Sequence, residues 1–246
     1  MSRRAQASAP VAICGWGMQL PGGIVDLAGL FRALSQQSDL TGPIPAERFE
    51  LARYYHPDPE TAGKLYVKRG AFLPRIDVFD PEAFGIAPRE AAMLDPQQRL
   101  TLECAYQAVE RSGISPLSLR DVRCGVFMGA MNHDYFDIQR YLTAPQAIDR
   151  FSATGTNASV IAGRLSYLLG TTGPALTINT ACSSSLVAMH LAWRALQAGE
   201  CDLAIAGGVN AICSPVPFIA RCQARMLSAD GRCKSFSTLA DGYALG

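Results

Sequence analysis

The stretch Thr180-Ala-Cys-Ser-Ser-Ser-Leu186 places one thiol, Cys182, between an apolar strand-like run and an apolar helix-like run. A thiol in a strand-to-helix turn stands among the unpaired amides of a helix start, which carry roughly half a unit of positive charge. The thiolate is the nucleophilic form of cysteine, and that setting favours it. The same amides can hold the oxyanion formed when a thioester carbonyl is attacked. Small neighbours, Ala181, Ser183 and Ser184, let a long acyl chain approach the sulfur, which makes Ser183 a candidate substrate contact. The chemistry this arrangement points to is acyl handling through Cys182. A cysteine in apolar surroundings is also a common small core residue, and the residues alone leave both readings open.

A cysteine nucleophile works with a base, and no obvious partner precedes Gly246. His190 lies eight residues beyond Cys182, about two turns along the same helix, and points away from the thiol as a core or interface residue. His133, in Met131-Asn-His-Asp-Tyr135, follows a strand end and reads as a loop residue; His56 sits in a Pro-rich loop and reads as exposed. Asp95-Pro-Gln-Gln-Arg99 resembles an acid–base site but reads better as a helix cap and a polar surface turn. The pairs Gly22-Gly23 and Gly207-Gly208 form neither G-x-G-x-x-G nor a P-loop, so nucleotide binding is not indicated.

The elements that must position Cys182 alternate in type. Val11–Gly15, Cys124–Gly129, Ala175–Thr180 and Asp202–Asn210 are apolar and read as strands. Asp26–Ser35 reads as an amphipathic helix with Leu27, Leu30, Phe31 and Leu34 on one face. Asp95 caps a helix that Pro96 opens and Gly113 ends. Ser159–Tyr167 and Ser183–Leu196 supply two more helices, the second closed by Gly199. Residues 37–88, rich in Pro, Gly and aromatics, form a long ordered excursion with short helical turns. Unalternated apolar strands between helices imply an α/β fold with a mostly parallel sheet covered by helices on both faces.

The chain has 246 residues, 49% hydrophobic and 17% charged, enough for a substantial core. Lys+Arg 22 against Asp+Glu 21 gives a net charge of +1, which does not favour nucleic acid or an anionic membrane. Eight cysteines at irregular spacing, with no C-x-x-C pair, read as reduced thiols of a cytoplasmic protein and not as a zinc site; no metal is expected. Cys14, Cys124, Cys201 and Cys213 lie in apolar strand-like stretches. Residues 1–10 read as a flexible lead without a signal-peptide core. The uncharged span Leu165–Trp193 is interrupted by Gly170-Thr-Thr-Gly-Pro174 and reads as domain core, not as a membrane helix.

Thr180–Leu186 resembles the active-site signature of β-ketoacyl synthases, specifically the ketosynthase domains of modular polyketide synthases. The similarity covers almost the whole chain. Val11–Gly23 resembles the family's opening strand and glycine turn. Phe79–Glu90 and Met93–Arg99 resemble a second signature, Ile161–Tyr167 precedes the cysteine as in the family, and Ala206–Asn210 and Leu227–Lys234 follow it. Each motif alone is weak; in this order they are specific.

The resemblance implies a thiolase-like fold, of which residues 11–246 are the N-terminal half. It implies no bound cofactor, substrates carried on the phosphopantetheine of an acyl carrier protein, and a homodimer. Cys182 would accept the acyl group, with its own N–H as one oxyanion donor, and a decarboxylated malonyl-type extender would attack the resulting thioester. Met131 and Asn132 stand where the family lines its pocket near the dimer contact. The family's two catalytic histidines, a lysine and a second oxyanion amide come from a second half not found here, so little condensation is expected of these residues alone. Asn179 stands where most relatives have Asp, a change expected to touch strand-edge or dimer contacts. Leu245 stands where Arg is usual. Arg225–Lys234 carries positive charge that could meet a carrier phosphate, although a solvated loop is the simpler reading. Two alternatives remain: a non-catalytic dimerisation or scaffolding fragment using the strand edge at Ala175–Thr180, and a thiolase or thioester hydrolase.

Overall fold

The computed structural model describes residues 9–142 and 144–246. The elements run α1 (Leu27–Ser35), β1 (Gly42–Pro43), α2 (Leu51–Tyr54), β2 (Arg69–Gly70), α3 (Pro88–Met93), α4 (Pro96–Arg111), β3 (Cys124–Ala130), α5 (Asp134–Leu142), α6 (Ser152–Thr156), α7 (Val160–Leu169), β4 (Ala175–Ile178), α8 (Ser184–Ala198), β5 (Leu203–Val209) and α9 (Val216–Gln223), with short 3-10 turns between. The central sheet is parallel, in the order β4-β3-β5, and β1 and β2 form a separate antiparallel pair.

Strand β3 is buried along its whole length because helices cover both its faces. Its pleat sends alternate side chains to opposite sides. Val126, Met128 and Ala130 meet Leu102, Ala105 and Val109 of α4 and Ile161 and Leu165 of α7. Phe127 faces the other way, onto Ala188, Ala192 and Ala195 of α8. Alanine at these helical spacings lets α8 lie close to the sheet. The remaining side of α8 carries Leu186, Met189 and Trp193, all exposed.

The excursion at 37–88 folds into a second core: Ile44, Phe49, Leu65 and Val67 pack on Phe218 and Cys222 of α9, together with Leu227 and Leu245. Phe72 stacks on Phe218 at 5.8 Å between centroids. Leu245 is therefore an integral core residue, and its carbonyl accepts a hydrogen bond from Ala71 N. At this position an arginine would bring a charge into the apolar cluster.

Several expectations require correction. Val11–Gly15 forms no ladder and no regular secondary structure, Ile13 is 84% exposed, and Gly15 and Gly17 lie against carbonyls of α4 where any side chain would collide. Helix α1 forms and is capped by Asp26, which accepts from Gly29 N, but Leu27, Phe31 and Leu34 face outward and not into the core. Strand β4 stops at Ile178, two residues short of the expected end. Cys14 and Cys213 lie outside strands, and all eight cysteines are free thiols. Of the expected lead at 1–10, residues 1–8 lie outside the described residues.

Candidate active site

Helix α8 begins at Ser184, and the turn that delivers Cys182 to its start is held from three directions. First, Asn179 Oδ1 accepts from Ala181 N at 3.1 Å, a bond that an aspartate could make equally well. Second, Ser183 Oγ donates to Thr180 O (2.8 Å) and contacts Thr180 Oγ1 (2.9 Å). Third, the buried Ser184 Oγ donates to Ala181 O at 2.6 Å and accepts from Thr180 N at 2.9 Å. These bonds hold Ala181 in the left-handed region, at φ 56°, unusual for a residue with a side chain.

The turn sits in a recess made by two glycines paired in register, Gly129 on β3 and Gly208 on β5. A Cβ on Gly129 would stand 2.6 Å from Ser185 N, and one on Gly208 would stand 2.6 Å from Ser185 Cβ. The absence of both side chains is what lets the first turn of α8 touch the sheet. Cys182 is thereby exposed at the C-terminal ends of the parallel strands, where open α/β sheets form their crevice.

Cys182 lines a cavity of about 840 Å³ together with Met131, Gly129, Gly208 and Asn210. Asn132, expected beside Met131 in the lining, is buried behind the wall: its Nδ2 donates to Asn210 Oδ1, and its carbonyl accepts from Gln97 Nε2 at 2.9 Å. Ser183 is exposed, with its hydroxyl engaged by Thr180, and is not among the lining residues. None of the three histidines lines the cavity. His190 is exposed, with its ring 5.8 Å from that of Trp193. His133 is exposed, whereas His56 is half-buried, with Nδ1 2.7 Å from Thr61 Oγ1.

Asp95–Arg99 is not a surface turn. Asp95, Gln97 and Gln98 are buried, and Asp95 caps α4 by accepting from Gln97 N at 2.7 Å. Burial pushes the Asp95 carboxyl up to about 6. It raises Asp134 as well, whose Oδ2 accepts from Cys213 N and Ser214 N at 2.7 and 2.9 Å. Desolvation, followed by the charge of Asp134, pushes the Cys213 thiol up to about 12, and burial holds Cys104 and Cys124 at about 11. These thiols stay protonated and unreactive at neutral pH. Among the described residues, no group of three His, Cys, Asp or Glu side chains is placed to hold a metal ion, and no helix is long and apolar enough to cross a membrane.

A parallel sheet clad on both faces, with a cysteine at a strand-to-helix turn over a cavity, defines an α/β protein with a candidate site at its strand ends. The chain belongs to the β-ketoacyl synthase family: the model of the β-ketoacyl synthase N-terminal domain matches residues 8–246. It is 48% identical over 242 residues to erythronolide synthase EryA2 of Saccharopolyspora erythraea, covering 98% of this chain and 7% of that protein. It is 45% identical over 239 residues to the pikromycin polyketide synthase component PikAII of Streptomyces venezuelae, covering 97% and 6%. The oxazolomycin ketosynthase domain OzmH KS7 of Streptomyces albus superposes with a TM-score of 0.88 at 37% identity, over 94% of this chain and 40% of that one. The ketosynthase from module 6 of the bacillaene synthase of Bacillus subtilis, in a mutant form, gives 0.84 at 35%, over 96% and 38%. The chain thus spans about two fifths of the ketosynthases and a small fraction of the synthases it matches.

The glycine recess and the Ser184 hydroxyl have no signal in the sequence that would single them out. Gly207-Gly208 is visible there only as a strand exit, and no local pattern pairs Gly208 with the distant Gly129.

Proposed function

We propose that this chain carries the acyl-accepting site of a polyketide-type ketosynthase, with Cys182 as the nucleophile. The observation that carries this reading is an exposed thiol, held by a strained turn at a helix start and lining a cavity at the strand ends. In the first step Cys182 Sγ bonds to the acyl carbon of a thioester on a carrier protein's phosphopantetheine. The old carbon–sulfur bond breaks, and the carrier thiol leaves with the proton. In the second step a malonyl-type extender loses carbon dioxide, its carbanion bonds to the acyl carbon, and the carbon–sulfur bond breaks to release Cys182 as thiolate, which regains its proton from solvent. The carbanion step needs the histidines that the family supplies from outside the N-terminal domain, so these residues by themselves support acylation and little condensation. No free cofactor takes part.

Met131 lines the acyl cavity in this reading. Asn132 and Ser183 act on the substrate through the backbone they hold, Asn132 from behind the wall and Ser183 within the turn. The partners are an acyl carrier protein and a second copy of the chain, which meets the edge strand β4, where Leu176 is exposed. Eight free thiols fit a cytoplasmic location.

The test is incubation with an acyl-thioester probe, followed by mass analysis of the peptide containing Cys182. The expected result is one acyl adduct on Cys182, abolished in Cys182→Ala. Absence of label under conditions that label a full-length ketosynthase would defeat the acceptor role. Thioester cleavage without a lasting adduct would favour a hydrolase, and a stable folded monomer by size exclusion would remove the β4 dimer.

A further inference from the structure

Gln97 is 1% exposed and stands one layer behind the cavity. Its Nε2 donates to Asp95 Oδ2 at 3.2 Å and to Asn132 O at 2.9 Å. Both partners are acceptors only in these bonds, so the amide can face them with nothing but its NH₂ end. Its Oε1 finds no hydrogen-bond partner among the described residues. A buried amide held by its donors while its acceptor goes unpaired is costly to keep, which points to those donors as its purpose.

The bond to Asn132 lands where the wall is made. Asn132 follows Met131, which lines the cavity, and Asn132 Nδ2 reaches across to Asn210 Oδ1. Asp134, at the start of α5 just beyond the loop after β3, ties it to the loop after β5 a second time by accepting from Cys213 N and Ser214 N. The loop after β3 and the loop after β5 are therefore cross-braced, and Gln97 joins that brace to the capped start of α4. The brace reaches the cavity that Cys182 lines through Asn210.

We propose that Gln97 is a positioning residue: through the Asn132 carbonyl it fixes the Met131 wall and so sets the size of acyl group that reaches Cys182. This rests on the reading of Cys182 as the acyl acceptor. Within it, specificity for chain length is controlled from α4, by a residue the substrate never contacts.

The experiment measures the alkylation of Cys182 in the whole chain by N-ethyl and N-dodecyl iodoacetamide, with mass detection on the peptide bearing Cys182. The ratio of the two rates cancels differences in thiol ionisation and reports the room beside the sulfur. Gln97→Met keeps length and apolar volume but removes both donors. The expected result is a change of at least threefold in the dodecyl-to-ethyl ratio in Gln97→Met, with a cooperative thermal transition retained. Should Gln97→Met not fold, Asn210→Ala cuts the brace from the cavity side and is expected to shift the ratio in the same direction. A folded variant with the wild-type ratio overturns the proposal. If wild type is alkylated with a brace-dependent ratio yet takes no acyl group from a thioester, the acceptor reading fails while the positioning role of Gln97 stands.

Discussion

Replacing Gly129 with alanine puts one methyl group into the seam between β3 and the turn that carries Cys182. The new Cβ would stand 2.6 Å from Ser185 N, 2.7 Å from Ser184 C and 3.0 Å from Ser184 Cβ. Ordinary contacts between such atoms begin at about 3.5 Å, so strand or turn must yield by about 1 Å. Two of these three neighbours are backbone atoms and cannot swing aside as a side-chain tip would. Overpacking of this kind costs about 1–3 kcal/mol. For a domain of this size that lowers the melting temperature by about 2–12 °C. The larger effect is on chemistry, because a reacting group displaced by about 1 Å loses about a hundredfold in rate. The assay pairs a thermal melt with the rate of Cys182 acylation by a thioester probe. Gly163→Ala in α7 is the control: nothing lies within 4 Å of its Cβ, and the exposed helical site should gain about 0.5–1 kcal/mol with no change in rate. Wild-type melting and wild-type acylation in Gly129→Ala would refute the recess as the device that seats Cys182.

Four further outcomes are expected. Ser184→Ala leaves Thr180 N and Ala181 O without their shared hydroxyl, and urea melts should show a loss of about 1–3 kcal/mol. Asp95 titrates near 6 when folded against 3.8 for an ordinary aspartate, so it binds its proton more tightly in the folded state. Its contribution favours folding at low pH and is lost as pH rises from about 4 to about 6. That difference is worth about 3 kcal/mol, so Asp95→Asn, which does not titrate, should gain about that much on wild type between about pH 4 and about pH 8 in urea melts. A pH-independent difference would show that folding does not raise the Asp95 carboxyl. Arg164, largely buried and bonded to Glu90 at 2.6 Å and Gln98 at 2.8 Å, should cost about 3–5 kcal/mol when changed to alanine. Arg89→Ala, which removes an exposed guanidinium paired with Asp149 at 3.0 Å, should cost much less than Arg164→Ala in the same urea melts.

Cys182 was legible because its signal is local. A small-residue turn between an apolar strand and an apolar helix fits within a few residues, and so do the Asp95-Pro96 cap and the glycine that closes α8. The parallel α/β arrangement was legible for the same reason, since strand and helix periods are short-range patterns. The apolar run at Val11–Gly15 shows the limit: composition favours a strand, but a strand exists only where a neighbouring edge accepts its hydrogen bonds, and here α4 takes that place.

Asp95-Pro-Gln-Gln-Arg99 shows the same limit from the other side. Polar residues read as a surface turn because transfer from water is costly, yet Gln97 and Gln98 are buried with their amides bonded to backbone carbonyls of the loop after β3 and of α6. Only the fold brings those acceptors within reach. Local residue patterns were enough to mark Cys182 as the candidate nucleophile and to indicate its turn and the class of sheet beneath it. The Gly129–Gly208 recess, the Asn132–Asn210 brace and the burial of Leu245 came from the folded chain, because each depends on contacts between residues far apart in the sequence.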